Sequence, residues 1–169
     1  YLNEIFKAIY TPSDYAIGFT EGKSVVDNAK VHKAQNYIFN IDLKDFFDTI
    51  DFYRIKKMLT HPPFNLIEDK NMPEKNLPCI IANLCCQHRI FIRQDKLGNK
   101  KEIHRSVLPQ GAPTSPVLSN LVCKYLDKHL YSLAKEYNAV YTRYADDITF
   151  SCNKNIFKEN SNFRKKLRY

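Results

Sequence analysis

No apolar run in this 169-residue chain approaches the roughly 18 residues that a membrane-spanning helix needs, so no membrane partner is expected. The five cysteines, Cys79, Cys85, Cys86, Cys123 and Cys152, fall in no zinc-ligand spacing. Cys85, Cys86 and His88 lie close together, but no fourth ligand follows them. An odd cysteine count without a signal peptide suits a reducing cytoplasm. Cys79 and Cys86, seven apart in an apolar helix-like run, read as core. Internal repeats and low-complexity tracts are missing too, which excludes a repeat architecture. Acids are the minority charge, 18 Asp and Glu against 26 Lys and Arg, giving a net +8 that favours a polyanionic partner. At this length one domain is expected, and 44% apolar residues suffice for its core.

Within this basic chain sits a concentrated acidic feature, Tyr144-Ala145-Asp146-Asp147. It joins two strand-like runs, 139–144 and 148–151, and so reads as a hairpin with two acids at its tight turn. Carboxylates roughly 4 Å apart repel by about 1 kcal/mol in water and about 4 kcal/mol near a protein surface. A divalent cation would remove that conflict, whereas an exposed acidic turn is the plainer reading. A second strand-like run, 36–42, also ends in an acid, Asp42. Together the three carboxylates make a set of the kind that holds two metal ions about 3.5–4 Å apart for phosphoryl transfer. Asp45, before a helical stretch starting near Asp51, reads as a cap or turn residue.

A third segment, Leu108-Pro109-Gln110-Gly111-Ala112-Pro113-Thr114-Ser115-Pro116, is a stiff polar loop leading into a helix over about 115–135. Val117, Leu118, Leu121, Val122, Tyr125, Leu126 and Leu130 recur at helical spacing there, and Thr114 or Ser115 is placed to cap the helix.

Asp42-Leu43-Lys44-Asp45-Phe46-Phe47, the 108–116 segment and Tyr144-Ala145-Asp146-Asp147 resemble motifs A, B and C of reverse transcriptases, in order and in spacing. Upstream, Asn28-Ala29-Lys30-Val31-His32 is similar to the Asn-Ala-x-x-His element of bacterial retron reverse transcriptases, as are Gly18 to Ser24 and Tyr141-Thr142-Arg143-Tyr144. CRISPR-associated and group II intron enzymes share parts of the pattern.

The resemblance implies that Asp42, Asp146 and Asp147 ligate two magnesium ions, with manganese as a substitute and the Leu43 carbonyl as a further ligand. It implies that Phe47 is a steric gate beneath the deoxyribose. Phe46, Gln110 and Gly111 would line the nucleotide site, and Tyr144 and Ala145 would face the primer terminus. The partners implied are an RNA template, a DNA or RNA primer, deoxynucleoside triphosphates and a structured noncoding RNA, in a bacterial cytoplasm. For Asn28, Ala29 and His32 two readings stand, an RNA contact or polar packing on one helical face. Basic candidates for phosphate contact are Lys56, Lys57, Arg89, Arg93, Lys96, Lys100, Lys101 and Arg105, with Arg93 and Arg105 placed at the primer or template.

Helices are expected over 24–34, 51–60 and 76–88, with a polar loop to about Lys75 and a further helix beginning within Phe157 to Tyr169. Runs 90–93 and 102–107 flank Leu97-Gly98-Asn99 as a hairpin that either approaches the template or is simply solvated. The expected fold is α+β, an antiparallel palm sheet backed by helices with part of a fingers subdomain. The palm core covers about 36–53 and 108–169, and fingers-side segments about 1–35 and 54–107. The thumb and the triphosphate-gripping basic residues are expected to lie outside the chain, which begins at Tyr1 and reads as a fragment of a longer polymerase. The function expected is retron-type DNA synthesis on RNA. The alternatives are a CRISPR-associated or group II intron enzyme, or a catalytically silent nucleic-acid-binding palm.

Overall fold

The computed structural model describes residues 1–69, 71 and 76–168. In chain order its elements are α1 (Leu2–Ile9), α2 (Val25–Val31), β1 (Tyr37–Asp42), α3 (Phe46–Thr49), α4 (Phe52–Leu59), α5 (Leu77–Cys85), β2 (Gln87–Gln94), β3 (Lys100–Val107), α6 (Ser115–Glu136), β4 (Val140–Tyr144), β5 (Asp147–Cys152) and α7 (Asn162–Leu167). They group into two compact units, Tyr1–Tyr10 with Asp45–Val122, and Thr11–Lys44 with Cys123–Tyr169. The division falls within the 22-residue helix α6, between Val122 and Cys123.

The second unit holds a three-stranded antiparallel sheet ordered β1-β5-β4. Register places Ile41, Ile148 and Arg143 side by side, then Phe39, Phe150 and Tyr141. Because side chains alternate along a strand, these residues share one face. On that face Ala134 of α6 and Phe163 of α7 join Tyr141, Ile148 and Phe150 in a buried core. Phe163 stands edge-on to Phe150 at 5.1 Å and to Tyr137 at 5.4 Å. Each fully buried ring contributes about 1.5–3 kcal/mol. The opposite face is polar: Asp42, Asp147 and Tyr144 form one row, and Asn40, Thr149 and Thr142 the next.

In the first unit, the Asp51 carboxylate accepts from the Arg54 amide at 3.0 Å and caps α4, which buries Ile55 and Leu59. Pro78, Ala82 and Cys85 form the buried stripe of α5, and Phe6 of α1 meets Phe64 edge-on. β2 and β3 form a two-stranded antiparallel ribbon. The Asp95 carboxylate closes its turn by accepting from the Leu97 and Asn99 amides.

The α+β class with antiparallel strands backed by helices is as expected. Several local readings are corrected. The helix expected to run to residue 88 stops at Cys85, because Gln87 onward is drawn into β2 by pairing with β3. That phase buries Cys85, while Cys79 and Cys86 are partly exposed. Asp45 is a turn residue at the N-cap position of α3, as expected, in a left-handed conformation with φ 51° and without a side-chain cap bond, whereas the Asp51 carboxylate caps α4. Ser115, the first residue of α6, donates its hydroxyl to the Pro109 carbonyl, and Thr114 directly precedes the helix. Part of the polar loop expected to about Lys75, namely Lys70 and residues 72–75, lies outside the described residues, as does Tyr169.

Candidate active site

β1 ends where β5 begins, and the register sets Asp42 directly opposite Asp147. Directly paired residues of an antiparallel ladder have Cβ atoms about 4.5–5.5 Å apart on one face. The ladder continues one step, with the Leu43 amide donating to the Asp146 carbonyl at 3.1 Å. Asp146 is thereby held in the two-residue turn beside the pair. Burial, then the charges of Asp146 and Asp42, raise the Asp147 carboxyl above its ordinary value of 3.8. Among the described residues no three His, Cys, Asp or Glu side chains are gathered tightly enough to hold a metal ion as they stand. The acids are neighbours, and an all-oxygen carboxylate set suits a hard cation such as magnesium or manganese rather than zinc.

The turn itself is braced from below. Ala145 adopts a left-handed conformation, φ 57°, which is uncommon for a residue with a side chain. Arg143 Nη1 donates to the Ala145 carbonyl at 2.8 Å. The same guanidinium forks onto Asp127, with Nε to Oδ1 and Nη2 to Oδ2 each at 2.7 Å. The Tyr141 hydroxyl donates to Asp127 Oδ1 at 2.7 Å. Arg143 and Asp127 are each only 1% exposed, so this is a buried, geometrically complete pair. Gly18 backs the turn from the other side. The Ile17 and Gly18 amides donate to the Arg143 carbonyl, and a Cβ on Gly18 would stand 2.2 Å from the Ala145 nitrogen. Only glycine permits that approach.

Asp127 belongs to no motif in the sequence, and Gly18 enters it only as the first residue of the Gly18 to Ser24 stretch. A usable signal existed: Arg143 occupies the same inward strand phase as Tyr141, and Asp127 sits four residues after Cys123 and seven before Ala134 on the buried side of α6. Opposite charges at two apolar-phase positions mark a buried pair.

The structure places His32 at the C-cap of α2, 4% exposed. Its Nδ1 lies 2.6 Å from Ser151 Oγ and its Nε2 2.7 Å from Thr142 Oγ1. The imidazole thus bridges β5 and β4 on the polar face of the sheet. Asn28 is half-buried with an Oδ1 that has no partner, and Ala29 is exposed. Burial lowers the His32 pKa below its ordinary 6.5. The unfolded chain therefore binds the proton more readily, so stability is full above about pH 6.5 and falls as pH drops through that value. A melting curve followed from pH 8 to pH 5 is expected to show this loss, and His32→Gln, which cannot be protonated, to flatten it.

The other candidates belong to the first unit. Phe46 is buried and Phe47 half-buried, their rings edge-on at 5.3 Å. Gln110 and Gly111 are exposed, and Gly111 has φ 90°, a conformation that favours glycine. Arg93 is exposed, whereas Arg105 pairs with Asp51 at 3.1 Å. The acids, Leu43, Tyr144 and Ala145 are brought together; Phe46, Phe47, Gln110, Gly111, Arg93 and Arg105 lie on the separate unit.

Comparison with known proteins agrees with the acidic hairpin. Residues 2–161 match the family model for reverse transcriptase (RNA-dependent DNA polymerase). The chain is 32% identical to the retron Ec86 reverse transcriptase of Escherichia coli over 139 residues, 82% of this chain and 35% of that protein. It is 37% identical to the retron Mx162 reverse transcriptase of Myxococcus xanthus, over 82% of this chain and 27% of that one. It is 35% identical to the retron Ec83 reverse transcriptase of Escherichia coli, over 89% and 43%. The chain thus spans less than half the length of these relatives. A structure of telomerase from Candida albicans in complex with a TWJ fragment of telomeric RNA superposes with TM-score 0.55 at 11% identity, covering 99% of this chain and 30% of that one, a likeness of fold. With its acidic hairpin in register and the family model matching nearly end to end, the chain belongs to the reverse transcriptase family.

Proposed function

We propose that the protein is a retron-type RNA-directed DNA polymerase, adding deoxynucleotides to a primer 3′-hydroxyl. The observation that carries this is the Asp42–Asp147 register with Asp146 at the adjoining turn, in a chain of this family. Asp42, Asp146 and Asp147 would hold two magnesium ions, with manganese as a substitute and the Leu43 carbonyl as a further ligand. Bound there, the ions would activate the primer hydroxyl and stabilise the leaving pyrophosphate. Phe47 would stand beneath the sugar and exclude a 2′-hydroxyl. Phe46, Gln110 and Gly111 would line the nucleotide site. Tyr144 and Ala145 would support the primer end, and the bracing by Arg143 and Gly18 would keep that turn fixed. An RNA template, a structured noncoding RNA and a bacterial cytoplasm follow from the same reading. Among the described residues no helix is long and apolar enough to cross a membrane.

The full-length protein, given an RNA template, an annealed DNA primer, deoxynucleotides and magnesium, is expected to extend the primer; no extension refutes the proposal. Phe47→Ala is expected to raise ribonucleotide incorporation by about 10- to 200-fold, the range one steric pocket contact supplies. Unchanged sugar selectivity removes Phe47 as the gate.

A further inference from the structure

Half of the chain's net charge is concentrated on one small element. Residues 87–107 carry Arg89, Arg93, Lys96, Lys100, Lys101 and Arg105 against Asp95 and Glu102, a net +4 of the total +8. Asp95 is consumed by the turn it closes. Register concentrates the cations further. Arg89 faces Arg105, Phe91 faces Ile103, and Arg93 faces Lys101, and these three pairs share one face of the ribbon.

Like charges placed directly opposite on neighbouring strands are destabilising. The inner pair is compensated within the unit. Arg89 bonds the Asp48 carboxylate, Arg105 bonds Asp51, and the two guanidiniums lie 5.4 and 6.0 Å from the Phe91 ring centre. The outer pair is not compensated. Arg93 and Lys101 are exposed and take part in no ion pair among the described residues. Their Cβ atoms lie about 5 Å apart, so both heads can reach one phosphate group. Lys96 in the turn and Lys100 extend the positive surface along the ribbon.

We propose that the Arg93–Lys101 face of the β2–β3 ribbon clasps the phosphate backbone of a nucleic acid. Arg89, Arg105 and Phe91 form its fixed base. The inference rests on the polymerase reading only for the source of that nucleic acid, the template–primer. It changes the residue assignment: Arg105, committed to Asp51, shapes the base, and Lys101 takes its place at the phosphate. No sequence recognition is involved, since phosphate contacts position without reading bases.

The test is fluorescence anisotropy of a labelled RNA template–DNA primer, titrated with the full-length protein over a series of KCl concentrations. R93A/K101A is expected to reduce the slope of log affinity against log salt by about 2 and to weaken binding roughly ten-fold. R93K/K101R keeps both charges and is expected to retain the slope. R93A/K101A is also expected to melt at or above the wild-type temperature, because the like-charge pair is gone. An unchanged salt slope overturns the proposal. So does a loss confined to phosphatidylglycerol vesicles, which would assign the face to a lipid surface. If wild-type protein fails to extend primers yet the slope falls in R93A/K101A, the clasp stands and the polymerase reading falls.

Discussion

Asp147→Asn is expected to lower primer extension by about 10³-fold or more while raising the melting temperature of the metal-free protein. The loss follows from the role of the carboxylate. A metal site supplies several kcal/mol of transition-state stabilisation, and each 1.4 kcal/mol is a factor of ten. The gain in stability follows from the sign of the Asp147 shift. Burial, Asp146 and Asp42 raise its folded pKa above 3.8, so the folded chain holds the proton more tightly than the unfolded chain does. Stability therefore falls as pH rises through 3.8 toward the raised value and stays reduced at neutral pH. Asparagine carries no charge and removes that cost. Magnesium would offset the same repulsion in the wild type, so chelation should lower the wild-type melting temperature and leave Asp147→Asn unmoved. Asp146→Asn should share the loss of extension. Full extension by either variant would end the assignment of the acids as ligands.

Arg143→Met carries the second large effect. Removing one partner of a buried pair strands the other charge and costs about 3–5 kcal/mol. For a chain of 169 residues, 1 kcal/mol shifts melting by about 2–4 °C, so a fall on the order of 10 °C is expected. Extension should fall as well, but unfolding alone would explain that. The triple variant Arg143→Met, Asp127→Leu, Tyr141→Phe separates the causes. It replaces the whole polar set by apolar groups of similar size, a change that often restores stability. It leaves the Ala145 carbonyl without its guanidinium donor. Stability should recover while kcat at saturating substrate stays about 10²-fold low, the cost of misplacing a reacting group by about 1 Å. If kcat recovers together with the melting temperature, Arg143 supports the fold and has no part in setting the turn. Arg143→Lys tests the geometry: it keeps a cation but loses the fork that meets two Asp127 oxygens and the Ala145 carbonyl together.

How much of this was legible beforehand depends on the range of the interaction. β1, β4 and β5 announce themselves because apolar residues alternate with polar ones and the turn acids interrupt them, a period-two signal confined to neighbouring residues. The ribbon turn at Asp95 to Asn99 is equally local. On α6, Tyr125 and Leu126 share the apolar spacing yet are 67% and 38% exposed, while Asp127 is buried. Apolar periodicity assigns acids to solvent; the partner that makes burial of Asp127 affordable lies 16 residues away on β4. α3 is a single turn, too short to show a helical period, and the left-handed Asp45 before it depends on tertiary packing. His32 stands out as part of a motif, but its two hydroxyl partners lie 110 and 119 residues further on, beyond the reach of any local pattern.

The two unlike faces of the β1-β5-β4 sheet also act as a proofreading device during folding. If β5 paired one residue out of step, every side chain on it would change face. Phe150 and Ile148 would turn to water, and Asp147 would enter the core face, where Arg143 is already committed to Asp127. Such a mispaired chain is disfavoured twice, by lost apolar burial and by a stranded carboxylate. A chain that folds stably therefore has its acids aligned, and selection for a sound core guards their alignment at no separate cost.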